Sequence, residues 1–395
     1  MRGDRLMMTL RLFSARPGAA RRKELPLPPL AMRILSGVLF VAAIASEPRA
    51  SAQVLVSPTR SVDHAGQGPT GLSVPRPYER GKIPVVLVHG LWGSDRQWDR
   101  MVRDLEAVEA ISSRYQFWTF GYATGDSIPF SALRLRRAIR RARDVFDPAG
   151  TDEAFDRMVV VGHSLGGLVA KMTARTTGPT LWRTVSAKDP VGMSGPAADV
   201  RFLREAFIYE RLPEVRRVVF IATPHRGSPL ARGVLGDLGN RICRVTDGAD
   251  DVRRRLLVCN DAGFFEPGFR LNSQTSVGGL EPGSPLLTAL DELRIDPAVA
   301  FHSIIPSRGR GRGDGIVPLG SARVEGAASE LLVRAEHACL EEQEVIRETA
   351  RILAEHGRMS GKDSSHIVLG VAELRGESWA KGRSSGETPA TGGMP

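Results

Sequence analysis

Residues 158–169 read Met158-Val159-Val160-Val161-Gly162-His163-Ser164-Leu165-Gly166-Gly167-Leu168-Val169. The apolar run at the start of this stretch predicts a strand that is buried on both faces of a sheet. The Gly-x-Ser-x-Gly sequence that follows is typical of a tight turn from a strand into a helix, which lifts a serine hydroxyl above the sheet. Gly162 and Gly166 lack a Cβ and allow strand and helix to approach closely. The stretch therefore predicts a nucleophilic serine, Ser164, with helix amides behind it that attract negative charge.

Further apolar runs recur along the chain and alternate with segments of helical periodicity. They lie at residues 83–88, 116–122, 215–222, 301–305 and 330–334. Such alternation predicts an α/β fold in which helices flank a mostly parallel central sheet. We predict one such domain over residues 81–356, closed by a helix from about residue 341.

Two irregular segments, about 177–213 and 229–298, interrupt this alternation. The first contains several Pro and Gly breaks, and the second combines helical patches with many glycines, so both are poor candidates for the sheet. Long irregular insertions in compact domains are often functional lids. We therefore predict that the two segments form an inserted cap or lid over the site.

The termini differ in composition from this domain. Residues 1–52 hold nine Lys or Arg against three Asp or Glu, and so carry +6 of the net charge of +10. An apolar run at about residues 34–45 and the small residues Ala50-Ser51-Ala52 predict a signal peptide behind a basic leader. The chain is then exported to the periplasm or secreted, or, alternatively, anchored in a membrane by this segment. Residues 53–80 are predicted to be a linker and residues 357–395 a disordered tail.

The chain contains three cysteines, Cys243, Cys259 and Cys339. After export, Cys243 and Cys259 could form a disulfide, and three buried, reduced thiols are the alternative. Neither a Cys-x-x-Cys pair nor a His/Cys cluster at metal-ligand spacing occurs. We expect no metal and no cofactor.

The helix predicted before the Ser164 strand carries an arginine-rich surface. Its apolar stripe consists of Leu135, Ala138, Ile139, Ala142 and Phe146. The rest of its surface is formed by Arg134, Arg136, Arg137, Arg140, Arg141 and Arg143. A nucleic-acid site is one interpretation, but the periodicity is typical of a solvated outer helix. We therefore predict no nucleic-acid partner.

Polar residues able to do chemistry follow directly after the predicted strands. They are His89, Ser164, the turn Thr223–Ser228, Asp314 and His337. In parallel sheets the site lies at the carboxyl ends of the strands, so we expect these residues to meet at one edge.

A serine hydroxyl needs a base within hydrogen-bond reach, and the base needs a carboxylate to orient it. We predict His337 as the base, because it follows the last strand on a short turn before a helix, with His225 as the alternative. Asp314, which stands between two glycines, is the predicted carboxylate; Asp296 is the alternative, and an ordinary Asp-Gly turn is the other interpretation of Asp314.

These residues carry a resemblance to a known family. The sequence resembles the bacterial esterase/lipase branch of the α/β-hydrolase superfamily, near the lipase and GPI-inositol-deacylase-like (PGAP1-like) groups, over about residues 80–356. The motifs that carry it are His89-Gly90-Leu91-Trp92-Gly93-Ser94, Tyr122-Ala123-Thr124-Gly125, Val161-Gly162-His163-Ser164-Leu165-Gly166-Gly167, Ala222-Thr223-Pro224-His225-Arg226-Gly227-Ser228, Gly313-Asp314-Gly315-Ile316-Val317-Pro318 and His337.

The resemblance implies an α/β-hydrolase fold and a role for each matching residue. It makes Ser164 the nucleophile, His337 the base and Asp314 its orienting carboxylate. It also makes the backbone amides of Leu91 and Leu165 the oxyanion donors. Trp92 and His225 are expected to line the substrate pocket.

The function expected from these roles is hydrolysis of carboxylic esters through an acyl-enzyme on Ser164. The substrates would be small-molecule or lipid esters of apolar character, with contact to a membrane surface or lipid interface. An acyltransferase with the same triad and a non-catalytic binding protein that retains the fold are the alternatives. The sequence does not determine the oligomeric state.

Overall fold

The computed structural model describes residues 54–56, 71–232, 247–270 and 275–358. Within these ranges the backbone forms one eight-stranded sheet. Its strands are β1 (Val54–Val56), β2 (Gly71–Val74), β3 (Ile83–Val88), β4 (Tyr115–Gly121), β5 (Met158–His163), β6 (Val215–Ile221), β7 (Ala300–Ser307) and β8 (Ser329–Arg334).

The order of the strands is β1-β2-β4-β3-β5-β6-β7-β8. All neighbouring pairs from β4 to β8 are parallel, which confirms the predicted fold class. Since parallel strands end at the same edge, the turns after β3, β5, β6, β7 and β8 lie along one side of the sheet.

The prediction of a linker over residues 53–80 is wrong for two segments. β1 pairs antiparallel with β2, and β2 pairs antiparallel with β4, so both extend the sheet. Leu72 and Val74 of β2 are buried in the core. The strands are three and four residues long and stand among Gly, Pro and Ser, so they carry too short a pattern to be recognised.

Helices cover both faces of the sheet. They are α1 (Asp99–Glu106), α2 (Ile128–Phe146), α3 (Leu165–Lys171), α4 (Ala197–Phe207), α5 (Asp247–Cys259), α6 (Pro285–Glu292) and α7 (Gln343–Arg358). Single helical turns occur at Asp95–Trp98, Glu109–Ser112, Phe155–Arg157, Trp182–Thr184, Pro190–Gly192, Pro229–Arg232, Pro267–Arg270, Ser276–Gly279 and Leu319–Ala322. The described α/β domain therefore has three layers.

Alternation along the strands divides the core between the two faces. Val86 and Val88 of β3 belong to the cluster that contains the apolar residues of α2 and α3. Val85 and Leu87 belong to the cluster on the other face, with α1 and α7. All six residues of β3 and of β5 are buried, which explains why both strands read as continuous apolar runs.

The two irregular segments contact each other in the structure. The Ser186 hydroxyl donates to the Phe264 carbonyl at 2.6 Å, and the Asn260 side chain donates to the Ser194 carbonyl at 2.7 Å. The first segment contains α4, and the second contains α5 and α6. Their role as a lid stays a prediction.

The arginine-rich helix is only in part a solvated surface. Arg140 and Arg141 are exposed, as predicted. Arg136 is buried, with its guanidinium carbon 3.4 Å from the centre of the Tyr209 ring and a 2.6 Å hydrogen bond to the Glu205 carbonyl. The prediction is wrong for Arg136 because the end of α4 and the residues after it pack on that side of α2.

Several predictions concern residues beyond the described ranges. The signal peptide or anchor at about 34–45 and the tail beyond residue 358 lie outside the described residues. The described part of the chain contains no helix long and apolar enough to cross a membrane. Cys243 also lies outside the described residues, so its pairing with Cys259, which is exposed, stays a prediction.

Candidate active site

Ser164 lies in the turn between β5 and α3 with φ 54° and ψ −125°. Few non-glycine residues adopt a positive φ, and such strain of about 1–3 kcal/mol persists only where the surroundings impose it. Close packing at the glycines around the turn imposes this conformation on Ser164. A Cβ at Gly162 would come within 2.5 Å of the Gly167 Cα, and one at Gly166 would meet the backbone carbonyls of Val88 and His89.

The structure brings Ser164, His337 and Asp314 into one hydrogen-bonded series. His337 Nε2 lies 2.8 Å from Ser164 Oγ, and His337 Nδ1 lies 2.7 Å from Asp314 Oδ2. An ionised carboxylate can only accept, so Nδ1 carries the proton and Nε2 is free to accept one from the serine hydroxyl. This is the geometry that a serine nucleophile and its base require.

Asp314 is held rigidly in the loop after β7. Its Oδ1 accepts hydrogen bonds from the backbone N–H groups of Ile316, at 2.8 Å, and Val317, at 2.7 Å. Burial alone would raise the pKa of Asp314, but the hydrogen bond and charge of His337 and the two backbone amides outweigh it and lower the pKa. The carboxyl group is therefore held in its ionised form.

His337 follows β8, and its side chain keeps 19 % of its surface exposed, whereas that of Asp314 keeps 1 %. Its backbone carbonyl lies 3.0 Å from His163 Nε2 and accepts the Cys339 N–H at 3.0 Å. Burial, followed by the charge of His337, lowers the pKa of His163 to about 3, so His163 is neutral and donates through Nε2. His163 thus ties the loop of His337 to the Ser164 turn.

Sequence reasoning missed this contact of His163 and assigned the residue only to the turn. Its position next to Ser164 is the one local signal that could have pointed to it. The carbonyl that it contacts lies 174 residues away, which no local pattern reveals.

The predicted oxyanion donors lie beside Ser164. Leu165 is the first residue of α3, so its N–H has no acceptor within the helix. No hydrogen bond joins the amide of Leu91 or Leu165 to any residue that the structure describes. Gly90, which precedes Leu91, lies so close to Ser164 that a Cβ at position 90 would come within 2.9 Å of the Ser164 Cβ.

Trp92, a predicted pocket residue, is partly buried and has φ 57°. Its backbone N–H donates to Thr124 Oγ1 at 3.4 Å. This bond ties the loop after β3 to the loop after β4. A contact between the Trp92 side chain and substrate stays a prediction.

The alternative base and the alternative carboxylate lie apart from this series. His225 is buried, with its ring edge-on to Phe220 at 4.7 Å, and neither ring nitrogen has a hydrogen-bond partner among the described residues. Burial and the charges of Lys171, Arg175 and Arg226 lower its pKa well below the usual value. The carboxylate of Asp296 pairs with Arg211 at 3.0 Å. Neither side chain is hydrogen-bonded to Ser164 or His337.

Across 71–232, 247–270 and 275–358, no group of three or more His, Cys, Asp or Glu side chains is placed to hold a metal ion.

The chain is similar to known proteins in structure. No curated protein sequence matches the chain. Among solved structures, the lipase BlEst2 of Bacillus licheniformis in its mature form is 16 % identical, with a TM-score of 0.40, over 72 % of this chain and 99 % of that one. Lipase 1 of Pelosinus fermentans is 13 % identical, with a TM-score of 0.42, over 72 % of this chain and 100 % of that one.

A third similar structure is the phospholipase PlaB of Legionella pneumophila, which is 15 % identical, with a TM-score of 0.43, over 75 % of this chain and 63 % of that one. The family model described as the alpha/beta hydrolase family matches residues 85–358, which is more than half of the chain. The match includes the strands that carry Ser164, Asp314 and His337. The chain belongs to the alpha/beta hydrolase family.

Proposed function

We propose that this alpha/beta hydrolase cleaves carboxylic esters through an acyl-enzyme on Ser164. The observation that carries the proposal is the unbroken series of hydrogen bonds from Ser164 Oγ through His337 to Asp314, at 2.8 and 2.7 Å. The series joins side chains 173 and 23 residues apart in the chain. The strained backbone of Ser164 costs stability, and such strain is found mostly at functional sites. It therefore supports a role of Ser164 in function.

In the first half of the reaction, His337 Nε2 takes the hydroxyl proton of Ser164 as Oγ bonds to the ester carbonyl carbon. The carbonyl oxygen becomes negative and is bound by the amides of Leu91 and Leu165. The ester C–O bond then breaks, the alcohol leaves with the proton from Nε2, and the acyl group stays on Ser164. Asp314 stabilises the imidazolium that forms in between.

In the second half, Nε2 takes a proton from water as the water oxygen attacks the acyl carbon. The bond between Ser164 Oγ and the acyl group breaks, the carboxylic acid leaves, and the serine regains its proton from Nε2. The same base therefore acts twice, and the reaction consumes one ester and one water molecule and releases an alcohol and a carboxylic acid.

We also propose apolar or lipid esters as the substrate class, with contact to a lipid interface. Leu91, which carries a predicted oxyanion donor, and the following residue Trp92 are both apolar. Two of the most exposed large apolar side chains, Val191 and Val258, lie one on each irregular segment, with 79 % and 87 % of their surface exposed. Contact of these two side chains with a lipid surface would remove apolar area from water, which is favourable.

The decisive test is Ser164→Ala assayed with a short, soluble p-nitrophenyl ester. We expect kcat to fall by about 10⁶, because loss of the nucleophile in another serine hydrolase costs that much. A fluorophosphonate probe should label the wild type and leave the variant unlabelled. Ser131→Ala is the matched control, because Ser131 is buried on α2 and its hydroxyl has no partner among the described residues. A rate for Ser164→Ala within tenfold of the wild type would refute the proposal.

A series of esters from short to long acyl chains tests the substrate class. Rates measured below and above the solubility limit of each ester distinguish an enzyme that acts at a lipid interface from one that acts on dissolved esters. A rise above that limit is expected if the exposed valines contact lipid. A steady decline with chain length would contradict the lipid interface while leaving ester hydrolysis intact.

A further inference from the structure

His89 lies at the end of β3, one residue before Gly90, and is buried with 3 % of its surface exposed. Its Nε2 accepts the backbone N–H of Tyr122 at 3.4 Å, so that nitrogen carries no proton. The proton of the neutral ring is therefore on Nδ1, which donates to the Gly90 carbonyl at 2.9 Å. Burial lowers the pKa of His89, in agreement with a neutral ring.

The Gly90 carbonyl belongs to the same planar peptide unit as the Leu91 N–H. It accepts a second hydrogen bond, from the Gly93 N–H at 3.0 Å. In a trans peptide the C=O and the N–H point in opposite directions. Two donors on the Gly90 oxygen therefore fix the direction of the Leu91 N–H, which itself has no partner among the described residues.

Tyr122 holds His89 from the other side. Its hydroxyl donates to the His89 carbonyl at 2.8 Å, and its ring stacks on the imidazole with the ring centres 4.5 Å apart. Tyr122, in the loop after β4, thus contacts both the side chain and the backbone of His89. Because Gly90 lies against Ser164, these contacts also fix where the Leu91 amide lies relative to the nucleophile.

We propose that His89 and Tyr122 are positioning residues that aim the Leu91 N–H at the oxygen of the substrate carbonyl. The inference rests on the proposed ester hydrolysis. His89 acts through the Gly90 peptide and neither touches the substrate nor transfers a proton. An apolar side chain at position 89 would leave the Gly90 carbonyl with one donor, and the Leu91 amide would lose its fixed direction.

The test compares His89→Leu, His89→Asn and Tyr122→Phe with the wild type on a soluble ester. Loss of a whole oxyanion donor costs about 10²–10³ in kcat, so misdirecting one donor in His89→Leu should lower kcat by about 10–100-fold. KM should stay within about twofold, because the interaction strengthens only in the transition state. In His89→Asn the amide nitrogen can replace Nδ1 as the donor to Gly90, so this variant should recover most of the rate. Tyr122→Phe keeps the stacked ring but loses the hydrogen bond to the His89 carbonyl. Its kcat should therefore lie between those of His89→Leu and His89→Asn.

A second measurement separates positioning from general damage to the fold. A trifluoromethyl ketone forms a tetrahedral adduct with the serine and places an oxyanion between the two amides. Its affinity should fall in His89→Leu by the same factor as kcat/KM, measured at a temperature at which both proteins are fully folded. An unaltered kcat in His89→Leu, an unaltered affinity for the ketone, or a His89→Asn rate as low as that of His89→Leu would each overturn the inference.

Failure of the proposed function would be seen in a different measurement. The ester hydrolysis rate of the wild type would then not be lowered by Ser164→Ala. Failure of the positioning role appears only in the comparison of the His89 variants with a wild type whose activity depends on Ser164.

Discussion

Two histidine-centred networks lie at opposite edges of the sheet. At the carboxyl edge, His337 stands between the Asp314 carboxylate and the Ser164 hydroxyl. At the amino edge, the buried Arg217 donates from Nε to His356 at 3.2 Å and also lies within hydrogen-bond distance of His302 Nε2. Both networks contain an imidazole with partners on its two nitrogens, yet only the first is arranged for proton transfer.

The two networks differ in the sign of the charge beside the imidazole, which is negative at His337 and positive at His302 and His356. A carboxylate beside an imidazole stabilises the imidazolium, so His337 can take the serine proton. Burial and then the positive charge of Arg217 lower the pKa of His302 to about 4; burial and Arg217 likewise lower that of His356 to about 4. A histidine whose partner is an arginine is therefore held neutral as an acceptor, and the difference between the two networks lies in the partners of the imidazoles.

Among changes to the partners of these histidines, the largest effect is expected from Asp314→Asn, which removes the negative charge at the carboxyl edge. The backbone amides of Ile316 and Val317 bind Oδ1, so the new side chain should keep its oxygen there and turn its NH₂ group toward His337. The imidazole would then hold its proton on Nε2, facing Ser164, and kcat should fall by about 10⁴. Steady-state kinetics on the soluble ester measures the loss. A decrease of less than tenfold would show that Asp314 does not orient the base.

Acid should weaken the network at the amino edge. The pKa of His302 and of His356 is about 4 in the folded chain and near the ordinary histidine value of 6.5 in the unfolded chain. The unfolded state therefore binds more protons in this interval, and stability should fall as the pH falls from about 6.5 toward 4. Urea denaturation midpoints between pH 7 and 4 measure this.

The matched variant for the acid experiment is His302→Gln, which keeps an acceptor for Arg217 and removes one titrating group. Its midpoint should change less with pH over the same interval, while its kcat at neutral pH stays close to that of the wild type. A slope as steep as that of the wild type would show that His302 contributes nothing to the loss.

The smallest effect is expected at His225, which lies at the carboxyl edge and lacks the partners that His337 has. His225→Leu removes a buried polar ring whose nitrogens have no partner among the described residues. We expect kcat within about threefold of the wild type and a free energy of unfolding that is unchanged or raised by about 1 kcal/mol, because no hydrogen bond is lost. Kinetics and urea denaturation measure both quantities. A decrease of kcat by 100-fold would show that His225 also takes part in the reaction.

Much of the architecture was predictable because its signals are local. The buried strand, the two glycines and the serine of residues 158–169 stand side by side in the chain, and so do the strand ends that precede Asp314 and His337. The edge strands β1 and β2 were missed because three or four residues stabilised by pairing with β4 leave little pattern of their own. The burial of Arg136 was missed because it depends on α4 and the Tyr209 ring, more than 60 residues further along the chain.

The sequence by itself determined the fold class, the Ser164 turn, and a short set of polar residues at the strand ends. It favoured His337 over His225 and Asp314 over Asp296 but left both alternatives open, since each candidate has the right residue type in a plausible position. Tertiary structure shows that His337 and Asp314 are the pair hydrogen-bonded in series with Ser164, and it also supplied the contacts of His163 and His89. The physical reason is that hydrogen bonds act over about 3 Å in space. Sequence patterns report which face of an element is buried, but not which distant atom it meets there.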